Sequence, residues 1–193
     1  MTEQSFSLIP FPAPGLPQAN ITGRIAREKG ILAIHYLLSG KIEDVLMPPP
    51  SVNPARKDEL WKSTCFELFL GITNSPQYWE FNFSPSGEWN VYRMDAYRRI
   101  GFREETSIQR LQLEIQNEAD GFVLNATVDL NPVFQQSQLL DVGIAAIIQT
   151  NDGNATYWAL NHSAPYADFH LRESFILALA GQTHLGGQSA PGD

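Results

Sequence analysis

Short stretches in which apolar and polar residues alternate run through the middle of this chain. Residues 31–38, 111–116 and 122–130 each carry an apolar side chain at every second position. A period of two matches a β-strand with one buried face, because successive side chains of a strand point to opposite sides of the sheet. Asp120 and Gly121 lie between the last two stretches and predict a β-hairpin turn.

The remaining pattern also favours strands. Residues 140–148 are apolar on both faces, which predicts a central strand, and the turn residues 151–153 lead into another strand at 157–160. A final strand is expected near residues 173–179. Helical periodicity is scarce, with single short turns of helix expected at 56–60 and 131–138. This succession predicts an all-β protein, an antiparallel jelly-roll-like β-sandwich.

The two ends of the chain differ from this middle part. Residues 1–20 contain four prolines and are expected to form an extended lead-in. Residues 181–193 are rich in glycine and polar residues, which indicates a flexible C-terminal tail. Residues 1–180 are therefore expected to form a single domain, a size that suits one hydrophobic core.

Residues 58–98 concentrate aromatic side chains and interleave them with polar ones. This segment holds three of the four tryptophans of the chain. Aromatic faces beside planar hydrogen-bonding groups suit a sugar, which presents an apolar ring face and a rim of hydroxyl groups. Aromatic residues are also common in the core of any sheet. Alternation assigns the following residues to the core: Phe66, Leu68, Leu70, Trp79, Phe81 and Phe83.

Polar residues on the other faces of these strands are the candidates for a binding site. Glu67 lies within an otherwise apolar strand, and a buried carboxylate without a partner costs several kcal/mol. We therefore expect a partner or a ligand, and Arg93 is the expected partner because it also lies within a strand. The face that carries Tyr78, Glu80 and Asn82 could line a binding surface or contact water. Tyr92 shares a face of the next strand with Asn90 and Met94.

Composition and charge exclude several functions. The net charge is −8 and the pI is about 4.9. The densest set of basic residues, at positions 93–103, is offset by nearby acids, which argues against nucleic acid and against a polybasic membrane contact. No signal peptide or apolar span of membrane length occurs, and the single cysteine, Cys65, cannot form an internal disulfide. The expected location is cytoplasmic.

Signals for catalysis or metal binding are weak. The chain contains no nucleophile elbow, phosphate-binding loop or dinucleotide fingerprint. The spacing of His162, Asp168 and His170 matches no familiar metal site. Glu67 could pair with Glu80 or Asp95 as in a glycosidase, but nothing in the sequence selects such a pair. No catalytic residue and no metal ligand are predicted, so the protein is not expected to be an enzyme.

Residues 58–98, the later YWAL at 157–160 and the DFH at 168–170 resemble the bacterial, largely cyanobacterial, DOMON-like proteins. These are related to family 9 carbohydrate-binding modules, and the similarity extends over roughly residues 5–180. The resemblance implies a jelly-roll-like sandwich that binds a sugar or haem without catalysing a reaction.

Family 9 modules hold terminal sugars between two tryptophans, helped by a carboxylate, an arginine and amides. Trp61 precedes Glu67 by six positions, which is the spacing of a clamp tryptophan and the sugar-binding glutamate in that family. The resemblance implies that Arg93 and Asn161 supply the arginine and the late amide. The second clamp aromatic stays open among three residues, Trp158, Tyr166 and Phe169. The predicted ligand-binding residues are Trp61, Glu67, Asn82, Tyr92, Arg93, Asn161 and His162.

Two alternatives stay open beside a glycan or another small molecule as ligand. Haem-binding DOMON domains are similar in fold and use Met and His as axial ligands, for which Met94 with His162 or His170 is the candidate pair. An interaction or scaffold domain with a decayed site would instead pair Glu67 with Arg93 internally. Family 9 modules often bind calcium, but residues 151–153 are better explained as a turn, so no cofactor is predicted. The sequence leaves the oligomeric state open.

Overall fold

A computed structural model describes residues 3–98, 100–118 and 121–181, and these residues form two antiparallel β-sheets. Their strands are β1 (Gln4–Ser7), β2 (Ile9–Pro10), β3 (Ala19–Glu28), β4 (Ile31–Gly40), β5 (Cys65–Ile72), β6 (Tyr78–Phe83), β7 (Trp89–Met94), β8 (Arg103–Glu104), β9 (Leu111–Glu118), β10 (Gly121–Asp129), β11 (Leu140–Gln149), β12 (Ala155–Ala159) and β13 (Leu177–Leu179). The 3-10 helices among these residues are Ile42–Asp44, Leu60–Lys62 and Arg172–Ser174. No described helix is long and apolar enough to cross a membrane.

The first sheet has the strand order β1-β3-β4-β10-β9. The second has the order β2-β12-β11-β5-β6-β7-β8, and β13 pairs with β11 beside this path. All strand pairs among the described residues are antiparallel. The predicted all-β antiparallel sandwich is confirmed, and β11 is a central strand as its two apolar faces indicated.

The main core lies between the two sheets and is built from the alternating positions of both. In β4 the side chains of Leu32, Ile34, Tyr36 and Leu38 are buried, as the period of two predicts. Phe66 of β5 lies 5.1 Å from the ring of Tyr36 across the sandwich, measured between ring centroids. The Tyr36 hydroxyl donates a 2.9 Å hydrogen bond to the backbone oxygen of Glu67. The two sheets are thus joined directly beneath Glu67.

Some local expectations agree with the structure, and others are corrected. The lead-in supplies an edge strand to each sheet, β1 to the first and β2 to the second, since extended proline-containing chain suits a sheet edge. Residues 131–138 form turns rather than helix, and the predicted last strand begins only at Leu177. The β9–β10 hairpin forms as expected, although the turn residue Asp120 lies outside the described residues. So does the predicted tail beyond residue 181.

Both faces of β5 and β6 are buried. One face packs into the main core, and the other is covered by loops that cross the outer side of the second sheet. A second apolar cluster lies under these loops and includes Phe69, Tyr78, Met94 and Phe175. Polar side chains on this outer face are therefore withdrawn from bulk water, which raises the free-energy cost of any unpaired charge there.

Candidate functional site

A cleft of about 610 Å³ lies on the outer face of the second sheet. Its floor comes from β5, β6, β7, β11 and β12, and its walls come from the loops around residues 58–61, 98–102 and 167–170. The cleft is lined by Asp58, Glu59, Trp61, Glu67, Glu80, Met94, Arg98, Phe102, Ile147, Tyr157, Ala167, Asp168, Phe169 and His170. Its volume falls within the range of roughly 300–1,000 Å³ that is typical of small-molecule sites.

Two carboxylic acids, Glu67 and Glu80, form the centre of the floor. In the β5–β6 register Glu67 lies opposite Asn82, and Phe69 lies opposite Glu80, so the two acids are diagonal neighbours on one face. They are only 3% and 5% exposed. The amide nitrogen of Asn82 donates a 2.8 Å hydrogen bond to Glu80 Oε1. The hydrogen bond from the Tyr36 hydroxyl reaches the backbone oxygen of Glu67, and no donor in the described residues reaches its carboxylate.

Burial decides the protonation of this pair. Desolvation raises the pKa of Glu67 well above its ordinary value, and the neighbouring charge of Glu80 raises it further. Desolvation also raises the pKa of Glu80 to about 7, although the hydrogen bond from Asn82 partly offsets this effect. Two acids this close titrate as a pair rather than independently. The floor of the cleft therefore carries fewer charges near neutral pH than two exposed glutamates would.

His170 lies next to Glu80 and is held by Tyr78. The Tyr78 hydroxyl accepts a 3.1 Å hydrogen bond from the backbone N–H of Arg98 and lies 3.0 Å from His170 Nδ1. The Tyr78 hydroxyl directs its own hydrogen to His170 Nδ1, because this buried hydroxyl would otherwise lack an acceptor among the described residues. The other nitrogen, Nε2, then carries the ring hydrogen and faces Glu80 Oε2 at 4.0 Å. Burial lowers the pKa of His170 to about 4, so the ring is neutral near pH 7.

Asp168 fixes the loop that carries His170. Its Oδ2 accepts hydrogen bonds from the hydroxyl of Tyr97 at 2.5 Å and pairs with Arg98 Nη2 at 2.9 Å. Its Oδ1 accepts a 3.0 Å bond from the backbone N–H of His170. Burial raises the pKa of Asp168, but these hydrogen bonds more than offset it and leave the pKa below its usual range. Arg98 is therefore held at the cleft by a charged partner.

Aromatic side chains stand on both flanks of the acidic floor. On the β7 side, Trp61 meets Tyr92 edge to face with ring centroids 5.5 Å apart, and Phe102 stacks on Tyr92 at 5.0 Å. On the β12 side, Tyr157 and Phe169 lie 6.1 Å apart. Since β11, β5 and β6 separate β12 from β7, these two groups lie on opposite sides of the acids.

Local chain geometry positions Trp61. It lies in the 3-10 helix Leu60–Lys62, which follows Glu59 in a left-handed backbone conformation with φ of 61°. Asp58 holds the start of this turn, because its Oδ1 accepts hydrogen bonds from the backbone N–H of Glu59 and from the Tyr92 hydroxyl. The turn is therefore tied to β7, and the indole is directed over the cleft.

The structure brings four of the predicted site residues together. Trp61 and Glu67 line the cleft, as their spacing indicated. Tyr92 packs behind Trp61, and Asn82 lies between the two acids of the floor and holds Glu80. Tyr92 and Asn82 therefore position residues that line the cleft and do not line it themselves.

Arg93 does not pair with Glu67, which corrects the sequence-based expectation. Its guanidinium lies over the ring of Trp79 at 5.3 Å and its Nε lies 3.5 Å from Asp95. The hairpin register places Arg93 directly opposite Trp79 on the side of β7 that faces the first sheet. Because Glu67 belongs to the outer face, the two side chains are separated by the sheet itself.

Asn161 and His162 also lie outside the cleft lining. The Asn161 amide donates to the Ser163 hydroxyl at 3.0 Å. His162 Nε2 lies 2.8 Å from the backbone oxygen of Ile9, and its ring packs edge to face against Phe11. The lead-in strand β2 pairs with β12, so this loop is drawn to the N-terminal edge of the sheet and away from the acids.

Of the candidates for a second clamp aromatic, only Phe169 is placed in the cleft lining among the described residues. Trp158 is 3% exposed in the main core, with its indole N–H bonded to Thr156. Tyr166 is exposed but lies outside the lining. The geometry therefore favours Phe169, assisted by Tyr157.

The cleft contains further residues that were not among the predicted ligand-binding residues, including Glu80, Arg98, Phe102, Tyr157, Asp168 and His170. The alternation of β6 does place Glu80 on the outer face beside Asn82, so that signal was present. Asp168 and His170 belong to the DFH motif that carried the resemblance, but no role in sugar binding followed from that motif. Arg98 and Phe102 carry no comparable signal, because their positions depend on how loops distant in sequence fold over one sheet.

The residues present do not fit haem. Met94 and His170 both line the cleft, whereas His162 lies outside it. An iron-ligating imidazole must present a nitrogen without a hydrogen. In His170, Nδ1 lies 3.0 Å from the Tyr78 hydroxyl, and in the tautomer inferred above Nε2 carries the ring hydrogen and faces Glu80, so neither nitrogen is free to ligate iron. The described residues also contain no group of three or more His, Cys, Asp or Glu side chains arranged to hold a metal ion.

No family model and no curated protein matches the chain. Solved structures do match its fold. An inferred carbohydrate-binding protein from Bacteroides uniformis aligns over 94% of this chain and 86% of its own, with a TM-score of 0.69 and 11% identity. A family 9 carbohydrate-binding module from Caldicellulosiruptor kristjanssonii, solved with cellotriose, aligns over 93% and 84% with a TM-score of 0.57 and 11% identity. A structure of such a module from the same organism with glucose aligns over 89% and 82%, with a TM-score of 0.53 and 11% identity.

This level of identity establishes a shared fold. The resemblance to family 9 modules is therefore confirmed for the architecture of the chain, while the comparisons do not bear on the DOMON-like part of that resemblance.

Proposed function

We propose that this protein is a non-catalytic carbohydrate-binding domain whose ligand occupies the cleft above Glu67 and Glu80. The observation that carries the proposal is an open cleft with aromatic side chains on both flanks and carboxyl groups at its floor. This arrangement complements a pyranose ring, which has apolar faces and hydroxyl groups around its rim.

Each part of the cleft has a distinct role in this proposal. Trp61 and Phe169 offer rings on which the apolar face of a sugar stacks. Glu67 accepts hydrogen bonds from hydroxyl groups, which supplies the partners that its carboxylate lacks within the protein. Arg98 and the Nε2–H of His170 donate to sugar oxygens, and Asp168 keeps both donors in place.

Two further observations support carbohydrate binding. Structures of similar fold are described in complex with cellotriose and with glucose. The alternative of a scaffold with a decayed site requires Glu67 to pair with Arg93 and Trp61 to be covered. Instead, Arg93 lies on the other face of the sheet, and Trp61 lines an open cleft.

Calorimetric titration with glucose, cellobiose and cellotriose tests the proposal. Because the site combines ring stacking with a few hydrogen bonds, we expect dissociation constants in the range of about 1 µM to 1 mM. Trp61→Ala removes the stacking surface, and we expect it to weaken binding by roughly tenfold or more, by analogy with the stacking of a nucleic-acid base on an aromatic ring, which is worth about 1–3 kcal/mol.

Tyr166→Ala is the matched control, because it truncates an exposed aromatic side chain outside the cleft lining. It should bind as the wild type does. Circular dichroism and thermal unfolding of both variants show whether the fold is retained. The proposal fails if no glycan on a broad array binds at millimolar concentration, or if folded Trp61→Ala binds with unchanged affinity.

A further inference from the structure

The cleft carries an excess of acidic groups. Its lining includes five carboxyl side chains and one guanidinium, with no lysine among the described lining residues. The carboxyl groups belong to Asp58, Glu59, Glu67, Glu80 and Asp168. These carboxyl groups attract a cation where they ionise, because a concave surface with one sign of charge concentrates ligands of the opposite charge.

The outer acids of this set already have partners. Glu59 pairs with Lys62 at 2.6 Å, and Asp168 pairs with Arg98 at 2.9 Å. Asp58 accepts the hydrogen bond of the Tyr92 hydroxyl. The single guanidinium of the lining is thus committed to Asp168. No cation of the described residues is left to face the two acids of the floor.

Glu67 is the unsatisfied member of the pair. Glu67 is only 3% exposed and lines the cleft, and its carboxylate receives no hydrogen bond from the described residues. Glu80 accepts from Asn82 through Oε1, while its Oε2 lies 4.0 Å from the neutral ring of His170. A hydroxyl group satisfies such oxygens without neutralising their charge, whereas an ammonium group does both.

The flanking aromatic rings also favour a positively charged ligand. The faces of Trp61, Tyr157 and Phe169 carry negative partial charge and attract a cation held near them. A desolvated cation between carboxylates and aromatic faces is the usual arrangement for recognising an ammonium group. A bare metal ion fits less well, because the described residues offer no cluster of three ligands and the cleft is far larger than an ion.

We propose that this cleft selects a sugar that bears a protonated amine, with the ammonium group bound between Glu67 and Glu80 and the ring stacked on the aromatic flanks. The ligand class is therefore an amino sugar, alone or at the end of a glycan. This inference rests on the proposed function, because it assigns the kind of carbohydrate to the same cleft.

The surroundings of Glu67 and Glu80 link the binding of an amino sugar to the protonation of these two acids. The nearby titratable groups that stay neutral near pH 7 are Tyr36, Cys65, Tyr78, Tyr92 and His170. The charged groups at the cleft are the paired Arg98, Asp168, Glu59 and Asp58 described above. With no internal cation, Glu67 and Glu80 hold protons that an ammonium group has to displace, so amino-sugar binding releases protons to solvent.

Calorimetry with three sugars that share one ring tests this inference. Glucosamine, glucose and N-acetylglucosamine carry an ammonium, a hydroxyl and a neutral amide at the same position. At about pH 6.5, where most of the glucosamine amine is protonated, we expect glucosamine to bind at least about tenfold more tightly than the other two. Its binding heat should change with the ionisation enthalpy of the buffer, whereas the heat of glucose binding should change far less.

Glu67→Gln should reduce the preference for glucosamine over glucose to about twofold or less, because one carboxylate is lost. Glu114→Gln removes an equal charge from an exposed position on β9 of the other sheet and should keep the full preference. If Glu67→Gln does not fold, the same preference is measured with Glu80→Gln, and proton release is measured with the wild type. Ethanolamine, an amine without a ring, should bind far more weakly than glucosamine.

The outcomes separate the two proposals. If glucose binds as tightly as glucosamine, or Glu67→Gln keeps the preference, the amino-sugar inference is wrong and carbohydrate binding still holds. If ethanolamine matches glucosamine, the site recognises amines rather than sugars, and the inference is equally wrong. If neither neutral sugars nor amino sugars bind, the proposed function itself fails.

Discussion

Glu80→Gln should change how the stability of this protein depends on pH. Glu80 is 5% exposed, and burial raises its pKa from 4.5 to about 7. Below about pH 4.5 the carboxyl is protonated in both the folded and the unfolded chain, so burial adds no charge penalty. As pH rises toward 7 the unfolded chain ionises first, and the free energy of unfolding falls. Glutamine stays neutral at every pH, so the variant lacks this fall in the free energy of unfolding.

The magnitude follows from the two pKa values. Since a tenfold change in proton affinity is worth about 1.4 kcal/mol, the difference between 4.5 and about 7 corresponds to about 3 kcal/mol. Glutamine retains an oxygen that can accept the Asn82 hydrogen bond, so little else is lost. The substitution also removes the charge that raises the pKa of Glu67, which adds stability in the same direction at higher pH.

His170 contributes with the opposite sign in nearly the same range. Burial lowers its pKa from 6.5 to about 4, so the unfolded chain takes up a proton first as pH falls. The free energy of unfolding therefore falls by up to about 3 kcal/mol as pH decreases from about 6.5 to 4. In the wild type these two neighbours largely cancel. The wild-type profile alone consequently cannot reveal either group.

The measurement is urea unfolding of the wild type and Glu80→Gln at several pH values between about 4.5 and 8, with the difference in free energy of unfolding plotted against pH. We expect the variant to gain about 3 kcal/mol relative to the wild type across this range. Glu114→Gln, an exposed carboxylate on β9, serves as the control and should give a flat difference. A flat difference for Glu80→Gln, or one that falls with pH, would refute the reasoning that burial dominates at this site.

Further predictions concern neighbouring parts of the structure. His170→Gln should show the opposite trend to Glu80→Gln: relative to the wild type, its free energy of unfolding should rise by up to about 3 kcal/mol as pH falls from about 6.5 to 4, in the same urea assay. Phe66→Ala should lower the free energy of unfolding by about 3–5 kcal/mol, because Phe66 is fully buried between the sheets. Asp168→Asn should cost about 1–3 kcal/mol at pH 7 and weaken sugar binding, since it releases Arg98 from the cleft. Calorimetry of Asp168→Asn against Tyr166→Ala checks the second effect.

The two faces of each central strand could be read from the sequence. Alternation assigned Phe66 to the core and Glu67 to the outer face, and both assignments agree with the structure. This works because the side-chain direction in a strand depends only on odd or even position, which is a local property. The spacing of Trp61 and Glu67 was likewise a local signal, and both residues line the cleft.

The partner of Glu67 could not be read from the sequence in the same way. Alternation placed Arg93 on the same side of β7 as Trp89, and the hairpin register places Trp89 opposite Phe83 of the core. Alternation along the sequence therefore indicated which face of β7 carries Arg93. Arg93 was nevertheless chosen as the partner of Glu67 from its charge alone, without the register of the strands. Pairing between strands is set by the turn and by tertiary packing, and an error there moves a side chain to the other face.

The sequence by itself determined the β-sandwich and the burial of an acid in an apolar strand, because both follow from short-range periodicity. Only the tertiary structure decided which groups share the cleft with that acid. Glu80, Arg98 and His170 come from separate segments, and they meet because loops of unrelated sequence position close over one face of one sheet. The free-energy cost of an unpaired carboxylate was visible from the outset, but its surroundings depend on long-range contacts that no local pattern encodes.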